Sequence, residues 1–306
     1  MFSISNTLRR LSVKLPAFAY HRAESLGEAV EVLATHGGDA RVLAGGQSLL
    51  PIMALRMSNP GLLVDITAAK DLQGHVFRGR DGLVASAAVT TRRLETDPET
   101  RRRHPLVSAC LSRVGHAEIR NRGTVCGAVA HADPAAEAPA LLLALDGAVR
   151  VASAARRRKI AAEDFFLGPY LTALDEGELV AGVEIPLLSG TAGWSIREIA
   201  RRSGDFALVG VISIVDADTA NRCTDARIAV FGVAGTPKRA VAVEKALLGQ
   251  VLDDEVCTEA AQHAFDDIDI VGDLHGSATY RRRVGIRVVA RSLAEAHART
   301  AVRSGE

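Results

Sequence analysis

Apolar side chains repeat at helical spacing over residues 25–35 (SLGEAVEVLAT), with Leu26, Ala29, Val30, Leu33 and Ala34 on one face. Ser25 suits an N-cap with Glu28 three residues later, so the spacing predicts a helix that starts there and stops at Gly37-Gly38. The short apolar run ARVLA (40–44) predicts a buried strand. Gly45-Gly46 turns the chain, Ser48 predicts the cap of a helix reaching Met57, and LLVDI (62–66) predicts the next strand. Together these make a small α/β lobe over about residues 16–69. Further on, LVASAAV (83–89) predicts a strand and 106–115 a helix. A helix over 138–145 is expected to open on Asp133-Pro134 as N-cap and first residue, and Pro139 marks a place where it can kink. Residues 147–152 and 158–161 predict paired strands, 165–168 a loop or short helix, and 179–185 another strand. After Pro186 the texture changes. Three apolar runs, 195–201, 207–215 and 225–233, predict an antiparallel meander. Helices are expected over about 240–248, 254–265 and 277–298, which makes this part a separate α+β domain.

Composition narrows the function classes. A chain of 306 residues that is 48% hydrophobic can build two or three domains with a sizeable core. Its 37 basic and 36 acidic residues nearly cancel, which argues against nucleic acid as the main partner. The four cysteines (Cys110, Cys126, Cys223, Cys257) form no C-x-x-C pair, so no zinc or iron–sulfur site of the chain's own is expected. A reduced, cytoplasmic setting fits. No apolar run reaches the roughly 18–20 residues of a membrane span. The opening MFSISNTLRRLSVK lacks the apolar core of a signal peptide and reads as a disordered extension over 1–14, or as an early start codon.

The candidate chemistry lies in two glycine-centred segments about eighty residues apart: RVLAGGQSLLP (41–51) and RNRGTVCGAVAHADPAAEAP (120–139). In the first, Ala44-Gly45-Gly46-Gln47-Ser48 joins a strand to a helix. Glycines allow close backbone approach, the helix start offers free N–H groups, and Ser48 adds a hydroxyl, so a phosphate fits without a lysine. On its own this segment favours a plain strand–turn–helix corner, since short Gly-Gly turns are common. In the second, Gly123 and Gly127 bracket Thr124-Val125-Cys126, and Glu137 lies in the first turn of the next helix. A carboxylate there can accept from ribose hydroxyls, or simply complement the helix dipole. Neither segment is a Rossmann fingerprint or a P-loop.

AGGQSLLP, then RNRGTVCGAVAHADPAAEAP, then ARRSGDFALV (200–209) at this spacing resemble the FAD-binding medium subunit of the molybdenum hydroxylases, the family of carbon monoxide and xanthine dehydrogenases. The opening over residues 18–46 is similar too, and the resemblance covers about 15–298. It implies an α+β fold: a two-lobed FAD-binding domain of the vanillyl-alcohol-oxidase (PCMH) type over 15–186, with lobes at about 15–69 and 70–186. A carbon monoxide dehydrogenase flavoprotein-type C-terminal domain, with a three-stranded antiparallel sheet and helices, would follow over 187–300. By the same resemblance Ala44, Gly45, Gly46, Gln47 and Ser48 form the first pyrophosphate loop of FAD. Thr124, Val125, Cys126, Gly127 and Ala128 form the second, and Glu137 is the ribose acid. Val180 and Arg197 fall at further FAD contacts, Ile119 approaches the isoalloxazine ring, and Asp205 belongs to a GDFA motif at the flavin edge. The implied activity is electron transfer through FAD to an external acceptor. The implied partners are a large molybdenum-cofactor subunit and a small 2Fe–2S subunit in a dimer of heterotrimers. No catalytic acid or base and no metal ligand is assigned to this chain.

The second loop departs from the family, which often has a glycine and an asparagine where this chain has Cys126 and Ala128. Cys126 can replace glycine only if its φ stays negative. A redox role for its thiol, a stand-alone flavoenzyme and a scaffold that no longer binds flavin are the competing readings. His131 and Asp133 are expected to order the loop rather than bind metal. The basic run 156–159 is read as a solvated hairpin. Arg281-Arg282-Arg283 is read as facing a partner or water, and Trp194 and Tyr170 as core packing, with cofactor shielding as the alternative.

Overall fold

The computed structural model describes residues 15–79 and 82–303, so the extension expected at 1–14 lies outside the described residues. The chain begins with β1 (Ala19–Arg22), α1 (Leu26–His36), β2 (Ala40–Leu43), α2 (Leu49–Ala54) and β3 (Leu62–Asp65). The strands form a parallel sheet ordered β1-β3-β2, which requires helical crossovers between them. Ser25 caps α1 as expected, its hydroxyl accepting from the Glu28 N–H. Glu28 reaches back to accept from the Glu24 N–H and meets the His21 imidazole, each at 2.8 Å. Val30 and Leu33 face the core, worth about 2 kcal/mol each in apolar burial. The helix α2 ends at Ala54, short of Met57, because Arg56 adopts a φ of 63°.

The middle of the chain runs β4 (His75–Phe77), β5 (Leu83–Ser86), α3 (Thr91–Thr96), α4 (Pro98–Arg103), α5 (Pro105–Leu111), α6 (Ala117–Arg122), α7 (Val125–His131) and α8 (Glu137–Ala144). It continues through β6 (Ala148–Ala152), β7 (Arg157–Ala161), α9 (Ala162–Phe165), β8 (Phe166–Gly168), β9 (Leu171–Thr172) and β10 (Leu179–Ile185). A five-stranded antiparallel sheet takes the order β4-β5-β10-β6-β7, with β8 and β9 as a separate hairpin. Pro98 and Pro105 each open a helix, which breaks α3, α4 and α5 into short pieces. The predicted 106–115 helix opens at Pro105 and ends at Leu111, with Ser112 as its C-cap. Every residue of α8 is buried, making it a core helix. Its N-cap is Ala136, not Asp133. Asp133 instead accepts from the Ala135 N–H at 2.9 Å and holds a turn. Pro139 sits in the first turn, where its missing N–H has no helical partner to lose, so α8 continues through it.

The last part holds β11 (Gly193–Ala200), β12 (Ala207–Ala217), β13 (Cys223–Phe231), β14 (Lys238–Arg239), α10 (Val241–Leu247), α11 (Asp254–Ala261) and α12 (Ala278–Arg303). The expected three-stranded meander gains a two-residue fourth strand, β14, in the order β11-β12-β13-β14. The sheet is buried on both faces. Ile212 and Ile214 pack towards the core of the first two parts of the chain, while Val209, Val211 and Val215 pack on the closing helices. That explains the unbroken apolar run of β12. Gly210 lies opposite Phe231, and a Cβ there would sit 2.1 Å from the ring. Arg281, expected at the surface, is buried and donates to the carbonyls of Gly232 and Leu208 while pairing with Asp273 at 2.6 Å. Its charge is satisfied internally, so burial costs little. No helix among the described residues is long and apolar enough to cross a membrane.

Candidate functional site

The first glycine turn leaves β2 and enters α2. Gly46 takes a φ of +70°, a region closed to most side chains, and its carbonyl accepts from the Leu50 N–H at 3.2 Å. The Gln47 amide donates to the Gly45 carbonyl at 3.1 Å and closes the turn. Ser48 precedes α2 without a side-chain cap bond.

The second segment is not an open loop. It is the junction of two short helices, α6 and α7, at Gly123-Thr124. Thr124 caps α7, its hydroxyl accepting from the Gly127 N–H at 2.9 Å. A capping side chain and an alanine-rich stretch favour helix here, and Gly127 is held inside it. The junction is fixed to the start of α3 by the bridge Thr90–Thr124 and by the Thr91 N–H donating to Gly123 O at 2.8 Å.

The two segments meet backbone to backbone. A Cβ on Gly45 would lie 2.1 Å from the Arg122 carbonyl oxygen and 2.6 Å from Gly123 Cα. The start of α7 thus stands beside the Gly45-Gly46 turn, and backbone N–H groups at such turns and helix starts are of the kind that can bind phosphate oxygens.

At its other end α6 meets the third motif. Gly204, with φ +83°, packs on the His116 imidazole, which a Cβ would approach to 2.4 Å. Gly204 belongs to the β11–β12 turn that carries Asp205 and Phe206, the latter 64% exposed. Asp205 sits 3.5 Å from Arg201. Ile119, on α6 between these contacts, is 38% exposed. Arg120 anchors the helix: it pairs with buried Glu95 at 2.8 Å and donates to the carbonyls of Val114 and Gly115. The six-residue helix therefore ties Gly45, Ile119 and the Asp205 turn into one region. Arg120 and Phe206 lie inside the quoted motif segments but are not singled out there, and His116 lies outside them.

The remaining candidates are spread more widely. Ala128 is half-buried on α7, against the core. Val125 and Cys126 are buried. Cys126 keeps a negative φ, as required of a glycine replacement. Its thiol touches the Ala85 carbonyl at 3.6 Å, and burial pushes it up to about 12. A buried thiol held in that range carries very little thiolate at neutral pH, which argues against a redox role. Glu137 opens α8 but is only 6% exposed. Burial pushes its carboxyl up to about 7. Glu198 and Asp133 add to the rise, while its own N–H and Arg113 oppose it. Val180 is buried in β10, beside the irregularity that separates it from Gly182. Arg197, on β11, pairs with Glu295 of α12. Tyr170 is exposed rather than core: its hydroxyl donates to Asp133 at 3.2 Å and its ring lies 5.1 Å from His131. Trp194 is half-buried beneath Arg299. The basic run at 156–159 is a hairpin strand with ion pairs to Asp175, Glu178 and Glu184. Among the described residues no group of three or more His, Cys, Asp or Glu could hold a metal.

Comparison with known proteins shows the family. Residues 16–188 match the FAD binding domain in molybdopterin dehydrogenase, and residues 194–296 match the CO dehydrogenase flavoprotein C-terminal domain. The chain is 39% identical over 285 residues to the 6-hydroxypseudooxynicotine dehydrogenase complex subunit alpha of Paenarthrobacter nicotinovorans, covering 93% of this chain and 96% of that protein. It is 35% identical over 287 residues to the carbon monoxide dehydrogenase medium chain of Hydrogenophaga pseudoflava, covering 94% and 99%. The solved carbon monoxide dehydrogenase of Hydrogenophaga pseudoflava superposes with a TM-score of 0.90 at 35% identity over 94% of this chain and 99% of its own. Quinoline 2-oxidoreductase of Pseudomonas putida 86 gives 0.89 at 37% identity over 93% and 98%.

Proposed function

Because this chain belongs to the FAD-binding medium-subunit family of the molybdenum hydroxylases, we propose that its glycine cradle seats the FAD through which such an enzyme passes electrons to an external acceptor. The chain is an FAD-binding oxidoreductase subunit. The observation that carries the placement is the contact of Gly45 with Arg122 and Gly123, which joins two turns about eighty residues apart in sequence.

The flavin, when bound, supplies redox chemistry that no side chain here provides. The chain's part is to bind and orient it. The backbone of Ala44, Gly45, Gly46, Gln47 and Ser48 receives one phosphate, and the start of α7 over Thr124, Val125, Cys126, Gly127 and Ala128 the other. Glu137 accepts from the ribose. Ile119 covers the ring with an apolar surface, Asp205 stands at its edge, and Val180 and Arg197 complete the contacts. Residues 15–186 form the FAD-binding domain, with lobes at about 15–69 and 70–186, and residues 187–300 the C-terminal domain. The partners are a large molybdenum-cofactor subunit and a small 2Fe–2S subunit in a dimer of heterotrimers, working in the cytoplasm.

The test is to express the chain, record its flavin spectrum and titrate the stripped protein with FAD. A stoichiometric flavin spectrum supports the proposal. A colourless protein that takes up no FAD overturns it. Co-purification from the host, with metal and flavin analysis, tests the partners.

A further inference from the structure

Outside the glycine cradle, a groove of about 540 Å³ opens between α5, β11 and α12. It is lined by Arg113, Arg197, Arg299 and Glu295, with Trp194 and Ser112 among the rest. This volume falls in the range of small-molecule sites. Three guanidinium groups face one carboxylate, so the lining is net positive. Glu295 is committed to Arg197 and to the Ser195 hydroxyl, which donates to it at 2.8 Å. Arg299 lies over the Trp194 ring at 4.2 Å and donates to the Trp194 carbonyl, which fixes its guanidinium at the rim. Arg113 pairs loosely with Glu198, at 3.8 Å, and feels Glu137 at longer range. Burial pushes the Glu198 carboxyl upward, which weakens that pairing further. Arg113 and Arg299 thus reach the groove from two different elements, and neither forms a close ion pair there.

We propose that this groove binds a small phosphorylated anion of about mononucleotide size. Guanidinium forks match phosphate oxygens, and a lining dominated by charged side chains does not suit an apolar acceptor such as a quinone. Because α5 belongs to the middle of the chain and β11 and α12 to its last part, the bound anion clamps the two together. The lining includes neither glycine turn, and the one proposed FAD contact it shares, Arg197, is committed to Glu295.

The test uses the full chain saturated with FAD and calorimetric titration with three probes: ADP, inorganic pyrophosphate and adenosine. ADP and pyrophosphate are expected to bind without releasing flavin, more weakly as salt rises, while adenosine does not bind. Arg113→Gln and Arg299→Gln each weaken ADP binding about tenfold, with the flavin spectrum unchanged. Arg102→Gln, at an exposed position on α4, has no effect. If Arg299→Gln fails to fold, Arg113→Gln alone decides. No ADP or pyrophosphate binding at millimolar concentration overturns the proposal. So does displacement of FAD by ADP, binding of adenosine alone, or an equal loss in Arg102→Gln.

Discussion

Substituting Gly45 with alanine forces the two glycine segments apart. The new Cβ would sit 2.1 Å from the Arg122 oxygen, 2.6 Å from Gly123 Cα and 2.7 Å from the Arg122 carbonyl carbon. All three atoms are backbone, so no side chain can rotate away. Ordinary carbon–oxygen contact begins near ~3.3 Å, and the turns must therefore separate by about 1 Å. Overpacking of this kind costs about 1–3 kcal/mol. If both turns hold the pyrophosphate, that cost falls on FAD binding as well as on folding, which corresponds to roughly 5- to 150-fold weaker affinity. The assay is a titration of stripped protein with FAD, followed by flavin fluorescence, with a thermal melt alongside. Gly190→Ala is the control, since a Cβ there meets nothing within 4 Å. If Gly45→Ala binds FAD within twofold of the parent and melts at the same temperature, the apposed-turn account of the site is wrong.

Thr124→Ala removes the cap of α7 and should cost about 1 kcal/mol by chemical denaturation, with Thr124→Ser retaining most of it. Glu137 gives a pH signature. Its carboxyl is raised from an ordinary 4.5 to about 7, so between those values the native state holds a proton that the unfolded chain has lost. Stability should therefore fall as pH rises through that window, by about 3 kcal/mol in all, and Glu137→Gln should flatten the slope in denaturation curves taken across it. The thiol of Cys126, with its pKa pushed up to about 12, should resist alkylation at neutral pH until the protein is unfolded, as read by mass spectrometry. Rapid labelling of Cys126 in the folded protein would contradict its burial.

Much of this molecule is legible along the chain because its signals are local. The 3.6-residue period and Ser25 mark α1, and the apolar run at 207–215 marks β12. The order of the three motifs points to the family whose sequence signatures span most of the chain. Elements without a period escape that reading. The strand β1 is mostly exposed, and no apolar alternation marks it; its pairing with β3 makes it a strand. The helices α3, α4 and α6 have six residues each, fewer than two full turns, so no face repeats. The strand β14 exists through its pairing with β13 and the ties of Arg239 to Asp146 and Glu244.

The sequence by itself determined which residue types stand in the flavin-type motifs, and their order. Tertiary structure alone decided how the motifs meet. Gly45 touches the carbonyl of Arg122, and Gly204 touches the ring of His116, through the short helix α6. Tertiary packing also turned the second segment into a capped helix, buried the Cys126 thiol, and enclosed Glu137 beside Glu198. A glycine at such a contact is selected by the absence of a side chain against a distant backbone. Neither the distance nor the partner leaves a mark in the local pattern, because both are set by how the sheets and helices pack around the core.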